Sequence, residues 1–121
     1  MIQIVKDSDT RPWFFLQTAH TTYGMRVMET GHLEHLYYGE RITVDSQDPS
    51  SCAPLVIQRA FAPGNTCTYD KEHPQISMED VCLEVGTLGK GDFREPFLEV
   101  RFADGSVTSD FTFDSYEIIT L

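Results

Sequence analysis

The chain has 121 residues, 40% hydrophobic and 12% aromatic, which makes one domain or part of one with enough apolar mass for a core. Nineteen acidic against nine basic side chains give a formal net charge of −10. That excludes a nucleic-acid partner, because phosphate binding needs a basic stripe to release counterions, and it argues against an anionic membrane surface while leaving neutral ligands such as sugars open.

Residues Met1 to Asp9 lack a basic start followed by an apolar stretch and a small-residue cleavage site. No later apolar run reaches the length of a membrane span, so a soluble, cytoplasmic protein with no membrane partner is expected. Trp13 to Thr18, after Pro12, is a β-prone run. Thr21 to Met28 then alternates, with Tyr23, Met25 and Val27 on one face and Thr22, Gly24 and Arg26 on the other. The two make a hairpin through Ala19 and His20. Between Gly31 and Gly39, His32 to Tyr38 reads as a third strand.

From Asp45 to Tyr69 the chain is rich in Ser, Asp, Pro, Gly and Asn, relieved by the apolar run Pro54 to Phe61. A loop of that length is functional or anchored by a partner. Ser77 followed three residues later by Asp80 is a capping-box pattern, which allows a turn or two of helix through Ile76 to Val85, although Val81 and Val85 favour strand.

Asp104-Gly105 signals a two-residue hairpin, which sets Phe102 opposite Val107, Val100 opposite Ser109 and Leu98 opposite Phe111, with every apolar member on one face. Glu99 would then face Asp110, with Arg101 diagonal to it. Tyr116 to Leu121 begins a further strand, and its apolar end is that expected of a fragment of a larger protein. The pattern as a whole is all-β, an antiparallel β-sandwich with at most one short helix.

Little here supports chemistry. Cys52, Cys67 and Cys82 are odd in number with no Cys-x-x-Cys, so three reduced, mainly packing thiols are expected. A Cys67 or Cys82 pair with His73 has no spacing to support it. His32 and His35, three apart on a strand, point to opposite faces and do not chelate, and His20 and His73 sit alone, so no metal is expected. There is no nucleophile elbow, phosphate loop or dinucleotide fingerprint, hence no cofactor. Glu29, Glu34, Asp80 and Glu84 read as solvated faces, and no catalytic residue is nominated.

One stretch stands out, Gly89-Lys-Gly-Asp-Phe-Arg-Glu-Pro96. Two glycines free the backbone, a proline stops the turn, and an acid, a ring and a base follow one another, so Asp92, Phe93 and Arg94 present a charged pair and a ring on a backbone that can approach something closely.

His20-Thr-Thr-Tyr23, Gly31-His-Leu-Glu-His-Leu-Tyr-Tyr-Gly39, Gly91-Asp-Phe-Arg94, Ser109-Asp110 and Ser115-Tyr-Glu-Ile118 together resemble the start of the glycoside hydrolase family 36 α-galactosidases. The likeness runs from Phe14 to about Ile118 and is weakest between Thr43 and Ile76. It departs at Cys82-Leu-Glu-Val-Gly86, where relatives carry a Pro-Gln-Glu-Tyr-Pro-like run and this chain keeps Glu84 alone. The resemblance implies that residues 1–121 open a large N-terminal β-supersandwich, with a catalytic (β/α)8 barrel and a C-terminal β domain outside this chain. It implies an intracellular, retaining, homo-oligomeric parent acting on terminal α-galactosides such as melibiose and raffinose. The two catalytic aspartates would lie in the barrel, leaving this chain inert alone. In tetrameric members an N-terminal loop helps wall a neighbour's pocket. By that likeness Asp92 and Arg94 would bond sugar hydroxyls or hold the loop by pairing, while Phe93 packs.

Two other readings follow from the residues. One is a stand-alone carbohydrate-binding sandwich, with Trp13, Tyr37 and Tyr38 as an exposed planar row. The other is a structural oligomerisation module whose sheet edges pair between chains.

Overall fold

Residues 1–8, 10–57 and 67–121 are described by the computed structural model. Four strands follow one another as an antiparallel meander, β1 (Ile2–Lys6), β2 (Pro12–Gln17), β3 (Thr21–Val27) and β4 (Leu33–Glu40), in that spatial order. The last three are the strands expected from the sequence. β1 was not, although Ile2, Gln3, Ile4 and Val5 form a short β-prone run of their own.

The register divides the side chains between two faces. Val5, Trp13, Arg26 and Glu34 share one row of the first face, and Gln3, Phe15, Gly24 and Tyr37 share the next. Ile2, Leu16, Tyr23 and Tyr38 form a row of the second face, beside Ile4, Phe14, Met25 and His35. A bulge falls between Gly24 and Met25, whose partners are Tyr37 and His35, so Leu36 is the extra residue and packs against the first-face core.

That core is Val5, Trp13, Phe15, Val44 and Cys52, with Ile42, Leu55 and Val56 packed against it. The segment after β4 is tied down by side chains from the sheet: Gln3 donates to the Val44 carbonyl at 2.7 Å and Gln17 to that of Ile42 at 3.0 Å. The Ile42 amide donates to Thr22 Oγ1. The long loop therefore carries structure. Pro49–Leu55 is a 3₁₀ run started by Asp48, whose carboxylate accepts from the amide and hydroxyl of Ser50. Residues 58–61 of the apolar run in that loop lie outside the described residues.

The second face is covered only in part, over Phe14, by chain that forms no ladder of its own, while Ile2, Leu16 and Tyr38 stay exposed. Phe14 meets the rings of Phe113 and Tyr116, at 5.9 and 5.0 Å between centroids. Along the outer edge of β4, the His35 amide donates to the Cys82 carbonyl and the Glu84 amide to that of Leu33. The all-β expectation holds, and the described residues contain no α-helix. The helix allowed at Ile76 to Val85 shrinks to one 3₁₀ turn, Met78–Asp80, because the Ser77 side chain makes no capping bond.

The hairpin at Asp104-Gly105 forms with a different register. The Gly105 amide donates to the Phe102 carbonyl and the Phe102 amide to that of Ser106, so Phe102 faces Ser106 and not Val107. Gly105 takes a φ of 87° at the third position of the loop, and Asp104 accepts from Ser106 twice, which fixes a three-residue loop. Nor do the two arms pair with each other. Leu98 donates to the Gly86 carbonyl and Ser109 to that of Leu88, and no strand is assigned over Tyr116 to Leu121.

Candidate functional site

The loop singled out in the sequence is closed at its base by the Gly86 carbonyl, which accepts from the Phe97 and Leu98 amides at 3.0 and 3.3 Å. Gly89 and Gly91 have φ of 98° and 88°, the left-handed region that a side chain disfavours. A Cβ on Gly89 would stand 2.5 Å from Thr108, and one on Gly91 3.0 Å from Cys67, so the loop turns where its neighbours leave room for backbone alone.

Within that frame Asp92 is buried and Arg94 grips it with two parallel bonds, Nε to Oδ1 and Nη2 to Oδ2, both 2.9 Å. The Arg94 amide donates to the same carboxylate at 3.1 Å. Nη2 also donates to the carbonyls of Met78 and Val81, at 3.0 and 2.6 Å. The hydrogen bond from Arg94 holds the Asp92 carboxyl below the usual carboxylate range, and Asp92 in turn raises the guanidinium. Of the two roles weighed for this pair, mutual support of the loop is realised within the chain.

Phe93 does not pack. Its ring is 74% exposed, with Phe97 at 77% nearby, so the locked pair carries two rings facing solvent. Below them a cavity of about 230 Å³ is lined by Cys82, Leu83, Gly86, Asp92, Arg94, Glu95 and Phe97. A carboxylate, a guanidinium and the Phe97 ring around such a space suit a polyhydroxylated ligand.

Two polar networks were not foreseen. His32, expected on a strand face, lies just before β4 and is buried. Its Nε2 is 2.6 Å from Asp110 Oδ1 and its Nδ1 is 2.8 Å from Thr30 Oγ1. Tyr69 donates to the other oxygen of Asp110 at 2.6 Å. Burial first, then that bond, push the Tyr69 phenol up to about 12. In the second network Tyr23 donates to both oxygens of Glu84, at 2.7 and 2.6 Å, and His35 Nδ1 lies 3.1 Å from Oε1. The bond to Glu84 raises the Tyr23 phenol to about 12.

Several expectations are corrected by these contacts. Glu84 and Glu34 are not solvated faces: Glu34 is buried against Arg26 at 2.6 Å. Of the three free thiols only Cys52 packs, while Cys67 and Cys82 are exposed because both lie in irregular segments at the surface. Trp13 is buried on the first face, Tyr37 shares that face, and exposed Tyr38 lies on the second, so the three rings form no planar row. The one hint at Glu84 was that it alone is kept from the family's run before the loop, and nothing local pointed to Tyr69 or to the partner of His32.

Residues 31–121 match the Glycosyl hydrolase family 36 N-terminal domain. The chain is 36% identical over 106 residues to the bifunctional alpha-galactosidase/sucrose kinase AgaSK of Mediterraneibacter gnavus, covering 87% of this chain and 11% of that protein. Its fold is similar to the alpha-galactosidase from Lactobacillus brevis, with a TM-score of 0.70 and 32% identity over 90% of this chain and 14% of the other. It is also similar to the GH36 alpha-galactosidase AgaA from Geobacillus stearothermophilus in complex with raffinose, with a TM-score of 0.64 and 25% identity over 85% of this chain and 13% of that one. The chain thus spans a small part of each relative. No helix among the described residues is long and apolar enough to cross a membrane.

Proposed function

Because this chain belongs to the glycosyl hydrolase family 36 N-terminal domain family, we propose that it is the non-catalytic β domain of a cytoplasmic α-galactosidase. The parent removes terminal α-galactosyl residues from oligosaccharides of the melibiose and raffinose type. The domain supports homo-oligomerisation and lends the loop bearing Asp92, Phe93 and Arg94 to the active site of a neighbouring subunit. The chemistry belongs to a barrel outside residues 1–121, and these residues alone hydrolyse nothing.

The observation that carries this reading is the match over residues 31–121 to the family domain. The loop assignment is supported by its build: a charge-paired turn, anchored by the buried Asp92 carboxylate, that holds the exposed Phe93 outward. Such a turn is preorganised, so ordering it costs a partner little on binding. Incubating the purified chain with a chromogenic α-galactoside tests the division of labour. No turnover is expected, and hydrolysis by this chain alone would overturn it. For the loop, Arg94→Ala in the complete enzyme should lower kcat/KM roughly ten- to a hundredfold, the effect of losing one charge-assisted hydrogen bond. Unchanged kinetics with an intact oligomer would remove the loop from the site.

A further inference from the structure

A second cavity, of about 260 Å³, lies on the first face of the sheet, and Arg11, Trp13, Arg26, Glu29, Glu34 and Ser77 contribute to its wall, none of which belongs to the Gly89–Pro96 loop. We propose that it binds one neutral sugar ring. The inference stands on the cavity itself and does not rest on the role given to Asp92, Phe93 and Arg94.

The wall is rigid and mixed in hydrogen-bonding sense. Arg26 and Glu34 are cross-strand partners held at 2.6 Å, and the guanidinium lies 5.3 Å from the centre of the Trp13 ring. Donor and acceptor are thereby fixed side by side, which is what a vicinal diol requires, since each hydroxyl both gives and takes a hydrogen bond. Ser77 is 2% exposed, and its hydroxyl has no hydrogen-bond partner. A buried hydroxyl left unpaired is costly, and because Ser77 belongs to the wall, a ligand hydroxyl in the cavity would supply the missing partner.

Other ligand classes fit worse. The carboxylates of Asp7, Glu29, Glu34 and Asp80 outnumber Arg11 and Arg26 in the wall and so disfavour an anion, charged walls disfavour a purely apolar ligand, and the described residues hold no group of three side chains able to bind a metal ion. The volume is below that of pockets for drug-sized ligands and suits a single ring.

The test is titration of the isotopically labelled chain with D-galactose, and separately D-glucose, followed by NMR. Saturable shifts are expected at the Ser77 and Arg26 amides and the Trp13 indole, with a Kd of roughly 1–10 mM for a single sugar ring. Ser77→Ala should weaken binding at least tenfold and, by removing the unpaired hydroxyl, raise the Tm of the free chain. Arg26→Met, which removes the donor beside Glu34, should likewise weaken binding at least tenfold, and should it fail to fold, Ser77→Ala still decides the matter. Absence of saturable shifts at these residues, or unchanged affinity in Ser77→Ala, overturns the proposal. Both are read on the chain alone, so they are distinct from a kinetic failure of the loop in the complete enzyme.

Discussion

Arg94 and Asp92 meet across one intervening residue through two parallel hydrogen bonds of 2.9 Å, and the same guanidinium reaches the carbonyls of Met78 and Val81. The pair is thus a strut between the loop and the 3₁₀ turn. Lysine keeps the charge but not the planar fork, so Arg94→Lys should fail as a replacement. Both Arg94→Ala and Arg94→Lys are expected to lower the stability of the chain by about 1–3 kcal/mol. Urea denaturation checks this, and a midpoint unchanged in Arg94→Lys would show that charge alone suffices.

The same contact fixes a pH dependence. The folded-state pKa of Asp92 is depressed by the bond from Arg94. Its contribution is therefore present above the unfolded value, about 3.9, and is lost as pH falls through the lower folded value. Stability should decline on the acid side below about pH 4, and Asp92→Asn should flatten that part of the curve. A slope below pH 4 identical in both proteins would assign acid sensitivity to other carboxylates.

Gly89 and Gly105 separate backbone strain from crowding. Their φ values are similar, 98° and 87°. A Cβ at Gly89 would stand 2.5 Å from Thr108, whereas at Gly105 nothing lies within 4 Å. Gly105→Ala should cost about 1 kcal/mol from conformation alone, and Gly89→Ala about 2–4 kcal/mol because the Thr108 arm must also move. Thermal unfolding of the two variants makes the comparison, and equal losses would mean that Thr108 yields freely.

What the sequence disclosed follows the range of the interactions. Tyr23, Met25 and Val27 alternate within β3, the aromatic run of β2 is β-prone, and Gly31 and Gly39 frame the run that forms most of β4, so all three were legible from local sequence. The Asp104-Gly105 turn was legible too, but its register was not. That depended on Asp104 binding Ser106 and on both arms giving their amides to Gly86 and Leu88. Pairing Asp110 with Glu99 failed for the same reason: Asp110 is held by His32 and Tyr69, 78 and 41 residues away. At the loop, the acid and base of Gly-Asp-Phe-Arg were evident as a pair. That Arg94 would reach back to Met78 and Val81 was not, because nothing in the sequence places that turn beside it.

Phe93 gives the sharpest separation of folding from function. Its ring is 74% exposed and carried on a charge-locked turn, so it contributes little to the core of this chain. Phe93→Ser should leave the unfolding free energy within about 0.5 kcal/mol of the parent, as for other surface substitutions. If the ring is buried by a neighbouring subunit, its loss removes about 1.5–3 kcal/mol of apolar transfer there. That corresponds to roughly a ten- to hundredfold weaker contact in the complete enzyme. Sedimentation would register it as dissociation, or kinetics as a lower kcat/KM at intact assembly. A variant unchanged in stability, assembly and kinetics would leave the ring without the docking role, whereas a destabilised chain would mean that Phe93 packs after all.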